Sequence, residues 1–141
     1  MSEEKNIITI DGPSGVGKST VSRRVAGTLG YTYLDTGAMY RAVGLFLDRL
    51  GADIDRPETL SDSLEKLSLE LLPANDELSD VCVLLNGEDI SDIIRTPEAA
   101  MTASRVSAVP VVREKLTEMQ RVIGAKGNVV AEGRDIGTVV F

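Results

Sequence analysis

The run Gly12-Pro13-Ser14-Gly15-Val16-Gly17-Lys18-Ser19 constrains this chain more than any other stretch. It fits G-x-x-x-x-G-K-[ST] at every fixed position and comes directly after the β-branched run Ile7-Ile8-Thr9-Ile10. Behind it, Val21, Val25 and Leu29 recur at helical spacing up to Gly30. Strand, glycine-rich turn and helix in that order allow the backbone to close around a phosphate chain with its N–H groups pointing inward. The helix N-terminus adds roughly half a positive charge. In such a turn Lys18 reaches the β- and γ-phosphates, and the Ser19 hydroxyl ligates Mg²⁺. The expected nucleotide-binding residues are Gly12, Pro13, Ser14, Gly15, Val16, Gly17, Lys18, Ser19 and Thr20, with Ser19 as the metal ligand. A plain strand–helix turn with a surface lysine is the structural alternative.

The pattern then repeats. Tyr31-Thr32-Tyr33-Leu34 reads as a second strand, and Met39, Ala42, Val43, Phe46, Leu47 and Leu50 mark a second helix ended by Gly51. Asn128-Val129-Val130-Ala131 reads as a third core strand. Strands alternating with helices predict an α/β fold, a parallel sheet flanked by helices. The middle differs: Leu60, Leu64, Leu67 and Leu71 predict a helix or part of one, and Val81–Leu85 followed by Asn86-Gly87 predicts a hairpin. Pro97 and Pro110 each stand where a helix can begin. We expect a single domain over residues 1–141 with a small antiparallel and helical insertion at roughly 53–108. Three core strands are few beside the usual about four to six. The chain also ends on the apolar run Thr138-Val139-Val140-Phe141, so a core continuing beyond it is expected.

Composition removes whole classes of chemistry. With no histidine there is no Ser-His-Asp or Cys-His catalysis and no histidine-ligated zinc; with Cys82 alone there is no internal disulfide. Met1–Asn6 is polar and acidic, unlike a secretory signal, and the longest apolar run is Val81–Leu85, so a cytoplasmic protein with no membrane partner is expected. The net charge of −7 argues against nucleic-acid binding. Residues 53–92 carry 12 acidic and two basic side chains, a net of −10, which leaves +3 for the rest. An anionic ligand belongs with that remainder.

Two further motifs lie there. In Asp35-Thr36-Gly37-Ala38-Met39-Tyr40-Arg41, a hydroxyl, a permissive glycine and an arginine one turn into a helix suit a second phosphate group. Arg41 offers a planar, always-charged fork to its oxygens. Glu132-Gly133-Arg134-Asp135-Ile136-Gly137 follows the third strand, at a carboxyl end where open α/β sheets bind ligands. Arg134 can hold a phosphate there, and Asp135 can accept from an amino group or orient the arginine. A helix cap with a solvated arginine, and a loop ion pair, are the structural alternatives for these two motifs.

Residues 10–20, 34–41 and 132–138 in combination resemble the bacterial cytidylate (CMP) kinase family, and the resemblance extends to Asn86-Gly87-Glu88-Asp89-Ile90 in the hairpin. It implies a P-loop nucleoside monophosphate kinase fold whose insertion binds the monophosphate. The implied reaction is γ-phosphate transfer from ATP, with Mg²⁺, to CMP or dCMP. It also implies that Asp35, Thr36 and Arg41 contact the CMP phosphate and nearby groups. Ser104, Arg113 and Asp135 correspond to the family's cytosine-reading set, and Arg134 to the arginine that approaches the phosphate. Lys18, Arg41 and Arg134 would then be the catalytic cations. Another P-loop small-molecule kinase, or a non-catalytic nucleotide-binding module, is the alternative. Family members continue with further strands and an arginine-bearing lid. A complete protein is therefore expected to be monomeric, and the shorter chain to be prone to self-association with turnover lowered by at least about 10³.

The motif geometry makes one prediction at once. Lys18→Ala should abolish most phosphoryl transfer while leaving the thermal unfolding midpoint nearly unchanged, because the side chain serves ligand and not core. Near-normal kcat in that variant would reduce the motif to a structural turn.

Overall fold

The computed structural model describes residues 7–11, 18–72 and 82–133. In chain order the elements are β1 (Ile7–Asp11), α1 (Lys18–Leu29), β2 (Thr32–Asp35), α2 (Thr36–Arg49), α3 (Leu60–Glu65), β3 (Leu69–Leu72), β4 (Cys82–Leu85), β5 (Glu88–Asp89), α4 (Pro97–Val106), α5 (Pro110–Ala125) and β6 (Val129–Gly133). Single 3-10 turns lie at Pro57–Thr59 and Ile93–Arg95. They form two units. One holds β1, α1, β2, β6 and the end of α5; the other holds residues 37–71 and 82–117.

In the first unit β6 is the central strand of the order β1-β6-β2, and both of its pairings are parallel. Val129, Val130 and Ala131 are buried, the near-continuous apolar run that a strand covered on both faces requires. The register sets Ile10 and Asp35 beside Glu132, and Asp11 beside Gly133. The expected strand–helix–strand alternation and parallel sheet are present. Helix α1 packs on this sheet by a face that the apolar spacing does not mark. Ser22 and Ala26 are buried, whereas Val21 and Leu29 are about half exposed. Small side chains let a helix lie close to a sheet, so the buried stripe of α1 is selected by size and not by hydrophobicity.

The second unit is built on α2, whose Ala38, Met39, Ala42, Val43, Phe46 and Leu47 are all buried. Each fully buried large side chain contributes roughly 1.5–3 kcal/mol. The leucine stripe of the middle segment is only partly helical. Leu60 and Leu64 are buried in α3, which stops at Glu65, and Leu71 belongs to β3. The hairpin forms where Asn86-Gly87 predicts it. Asn86 has φ 48° and Gly87 φ 87°, as a two-residue turn matched to strand twist demands, and β4 and β5 pair antiparallel around it. Asn86 also exchanges two hydrogen bonds with Ser68, donating its N–H to the carbonyl at 2.8 Å and accepting the Ser68 N–H at Oδ1 at 2.7 Å. Beyond it, α4 starts at Pro97 under a Thr96 cap whose Oγ1 accepts from the Ala99 N–H at 3.2 Å. Among the described residues no helix is long and apolar enough to cross a membrane.

Helices α2 and α4 meet at Gly44. A methyl group there would lie 2.8 Å from Thr102 Cγ2 and 3.5 Å from the Ala103 backbone nitrogen. Gly44→Ala should therefore destabilise the protein by about 1–3 kcal/mol through overpacking. Adding Thr102→Ser, which removes the opposing methyl, should recover most of that loss. Urea unfolding of the two variants decides it; an unchanged midpoint for Gly44→Ala would mean that these helices are not in close contact.

Candidate functional site

Each sequence motif begins at the carboxyl end of a strand of one parallel sheet, and such strands all end at the same edge. There the register keeps β1, β2 and β6 level. Gly12, Pro13, Ser14, Gly15, Val16 and Gly17 lie outside the described residues, between the end of β1 at Asp11 and the start of α1 at Lys18. Lys18, Ser19 and Thr20 form the first turn of α1, described by their backbone. Arg134 and Asp135 lie outside the described residues, directly after β6.

Asp35 closes β2 and Thr36 opens α2 without an intervening loop. Thr36 is buried, and its Oγ1 donates to the Glu132 carbonyl oxygen at 2.7 Å. That hydrogen bond uses the only proton the hydroxyl has; its remaining capacity is as an acceptor. Glu132, also buried, accepts at its carboxylate from the Tyr33 hydroxyl. The sequence places Glu132 in its motif and Tyr33 in a strand, and assigns neither side chain a role. Only a buried acid at the end of an apolar strand hinted at either.

In the second unit Arg41 lies in α2, half-buried, and its Nε is buried with no hydrogen-bond partner among the described residues. Ser104 and Arg113 are both exposed, on α4 and α5, yet the corner between those helices joins them through one residue. The Ser107 hydroxyl donates to the Ser104 carbonyl at 2.9 Å, and the Ser107 carbonyl accepts from Arg113 Nη1 at 3.4 Å. Arg113 also acts on Tyr40, the chain neighbour of Arg41. Burial raises the Tyr40 phenol above its ordinary value, and the Arg113 charge works against that rise. Arg41, Ser104 and Arg113 therefore belong to one unit, while Asp35 and Thr36 belong to the other. Among the described residues there is no group of three or more acidic or cysteine side chains able to hold a metal ion.

The described elements form a parallel α/β sheet with α2 starting directly at its carboxyl edge. The family model for cytidylate kinase matches residues 8–141, and the chain belongs to that family. It is 49% identical over 134 residues to a cytidylate kinase of Carboxydothermus hydrogenoformans, covering 95% of this chain and 59% of the relative. It is 51% identical over 135 residues to a cytidylate kinase of Syntrophotalea carbinolica, covering 96% and 56%. A bifunctional pantoate ligase/cytidylate kinase of Synechococcus elongatus is 49% identical over 137 residues, or 96% of this chain and 26% of that one. The chain thus spans a little over half the length of the cytidylate kinases it matches.

The Tyr40–Arg113 coupling is measurable. Because the folded pKa is raised, the unfolded chain loses its phenolic proton first, so this group's contribution to stability disappears as pH rises above about 10. Removing the opposing charge with Arg113→Met should push Tyr40 further up. Phenolate absorbance, isolated by subtracting the Tyr40→Phe titration, should move to higher pH. A shift to lower pH, or none, would contradict the proximity of the two side chains.

Proposed function

We propose that this chain carries the ATP- and CMP-binding parts of a nucleoside monophosphate kinase that transfers the γ-phosphate of ATP to CMP or dCMP, giving ADP and CDP or dCDP. The observation that carries this reading is the grouping of Arg41, Ser104 and Arg113 in one unit, with Ser107 joining the last two and Arg113 acting on the residue beside Arg41. The names of the two cytidylate kinases compared above support the same reaction. In it, residues 12–20 hold the ATP phosphates. Arg41 and Arg134 hold the CMP phosphate near Asp35 and Thr36, and Ser104, Arg113 and Asp135 read the cytosine edge. Thr36 has its proton committed to Glu132, so its hydroxyl must rotate to donate to phosphate, or the α2 N-terminus supplies the donors instead.

The acceptor is an oxygen of the CMP phosphate, already anionic, so the reaction needs no strong general base and suits a chain without histidine. Alignment of donor and acceptor, with Lys18, Arg41 and Arg134 neutralising charge, supplies the catalysis. A hydroxyl at the start of α1 is the hard oxygen ligand that Mg²⁺ takes, so Ser19 would hold the ion. When bound, Mg²⁺ withdraws charge from the phosphates. The location we infer is the cytoplasm.

Coupled ADP-release assays on the protein expressed from its full reading frame test this reading. CMP and dCMP should be turned over at least about 10²-fold more efficiently than AMP and GMP, because groups built to pair with one base edge are left unpaired by another. Arg113→Met should erode that preference. Equal efficiency with AMP would overturn the assignment of the cytosine set.

A further inference from the structure

Gly44 is buried in α2, one turn after Arg41, and Thr102 lies in α4, two residues before Ser104. All four residues belong to one unit. Glycine weakens a helix interior relative to alanine, and Gly44 sits in helical backbone without the positive φ that would require it. Its reason is the neighbouring helix. A Cβ there would stand 2.8 Å from Thr102 Cγ2 and 3.5 Å from the Ala103 backbone nitrogen. Carbon atoms in good contact lie about 3.5–4.0 Å apart, so a side chain at position 44 must push α4 back by roughly an ångström or turn the Thr102 methyl aside. The methyl is tethered. Thr102 Oγ1 donates to the Glu98 carbonyl at 3.0 Å, and both groups share one Cβ, so turning the methyl takes the hydroxyl off its acceptor.

We propose that Gly44 is a positioning residue for the monophosphate substrate: with Thr102 it sets how closely α4 approaches α2, and so how far Ser104 stands from Arg41. This rests on the function proposed above, in which Arg41 holds the phosphate and Ser104 helps to read the base. A nucleoside monophosphate has a set reach from phosphate to base edge, so the two helices must be spaced to match it. Each is unbroken, α2 over Thr36–Arg49 and α4 over Pro97–Val106, so a displacement at the Gly44–Thr102 contact carries Ser104 with it. The corner after α4 moves too, since Ser107 joins Ser104 to Arg113. The charge of Arg113 in turn reaches Tyr40, four residues before Gly44 and on the same side of α2. Ser104 keeps its hydroxyl when α4 is pushed back, but the hydroxyl no longer meets the base.

The test uses the protein from its full reading frame, with steady-state kinetics in CMP, AMP and ATP taken well below each variant's unfolding midpoint. Gly44→Ala should lower kcat/KM for CMP by about 3–10-fold, the worth of one net hydrogen bond to the base, chiefly through KM. The preference for CMP over AMP should narrow, while KM for ATP, held by residues 12–20, stays unchanged. Thr102→Ile crowds the contact from the other helix and should raise KM for CMP in the same way. Gly44→Ala with Thr102→Ser keeps the bond to Glu98, removes the opposing methyl, and should recover both KM and midpoint. Ser104→Ala should cost about 3–10-fold on its own, and little further once Gly44→Ala is present, because the two changes remove one contact. Val83→Ala, a core truncation in β4 of the same unit, should lower the midpoint without moving KM for CMP. The inference is overturned by an unchanged KM for CMP in Gly44→Ala or Thr102→Ile, or by KM for ATP rising equally. A full Ser104→Ala cost in the Gly44→Ala background, or a Val83→Ala variant with the same rise in KM for CMP, overturns it too. An unsubstituted protein without CMP-dependent ADP release, or a Ser104→Ala variant that costs nothing, removes the functional assignment and the inference together. With both of those in order, an unimpaired Gly44→Ala removes the inference alone.

Discussion

The parallel pairing of β6 with a strand on either side is the constraint from which the rest of the site follows. Parallel strands cannot be joined by tight turns, so a helix must return the chain between β1 and β2. Their carboxyl ends then fall on one edge of the sheet, level to within a residue, because Asp11 is beside Gly133 and Asp35 beside Glu132. Three motifs more than a hundred residues apart at the extremes start from that edge. None of them has to find the others through loops. Backbone pairing in the apolar run Val129–Ala131 brings them together, and the cost of ordering them is met by a core that buries Leu34, Val129, Val130 and Ala131.

The fold was readable in the sequence wherever a local rule decides the outcome. Asn86-Gly87 could only be a tight turn between strands, and it has the two positive φ values that turn needs. Pro97 and Pro110 open helices because a first helical position loses nothing by lacking an N–H. The rules failed where a neighbour decides. On α1, apolar spacing selected Val21 and Leu29, yet the sheet accepts the face carrying Ser22 and Ala26, since what matters there is how near the helix can come. In the middle segment four leucines at helical spacing span the end of α3 and a strand, because periodicity cannot see where a new backbone partner takes over.

The site shows the same division more sharply. A hydroxyl at Thr36 is legible in the sequence; the destination of its proton, a carbonyl 96 residues away, is not. The same holds for Tyr33 and Glu132, 99 residues apart and joined only by the strand register. Ser104 and Arg113 entered through family resemblance, on helices where nothing in their spacing singles them out. What sequence could not supply is the residue between them. Ser107 offers its hydroxyl to one and its carbonyl to the other, so the turn after α4 ties both to a single stretch of backbone.

Two arginines of α2 differ in what holds them. Arg49, at the exposed end, forms a two-pronged pair with Glu88 at 2.9 and 3.1 Å, and each group moves the other's pKa toward its charged form. That pair fastens the hairpin to the helix. Arg41, two turns earlier, keeps a buried Nε with no partner among the described residues. A donor left in that state costs about 1–3 kcal/mol, which a neighbouring carboxylate would have removed. On the function proposed above, such a carboxylate would also compete with phosphate for the guanidinium. On that function, an anion that met this donor on binding would recover that free energy, and the pairing would then favour the substrate over the fold.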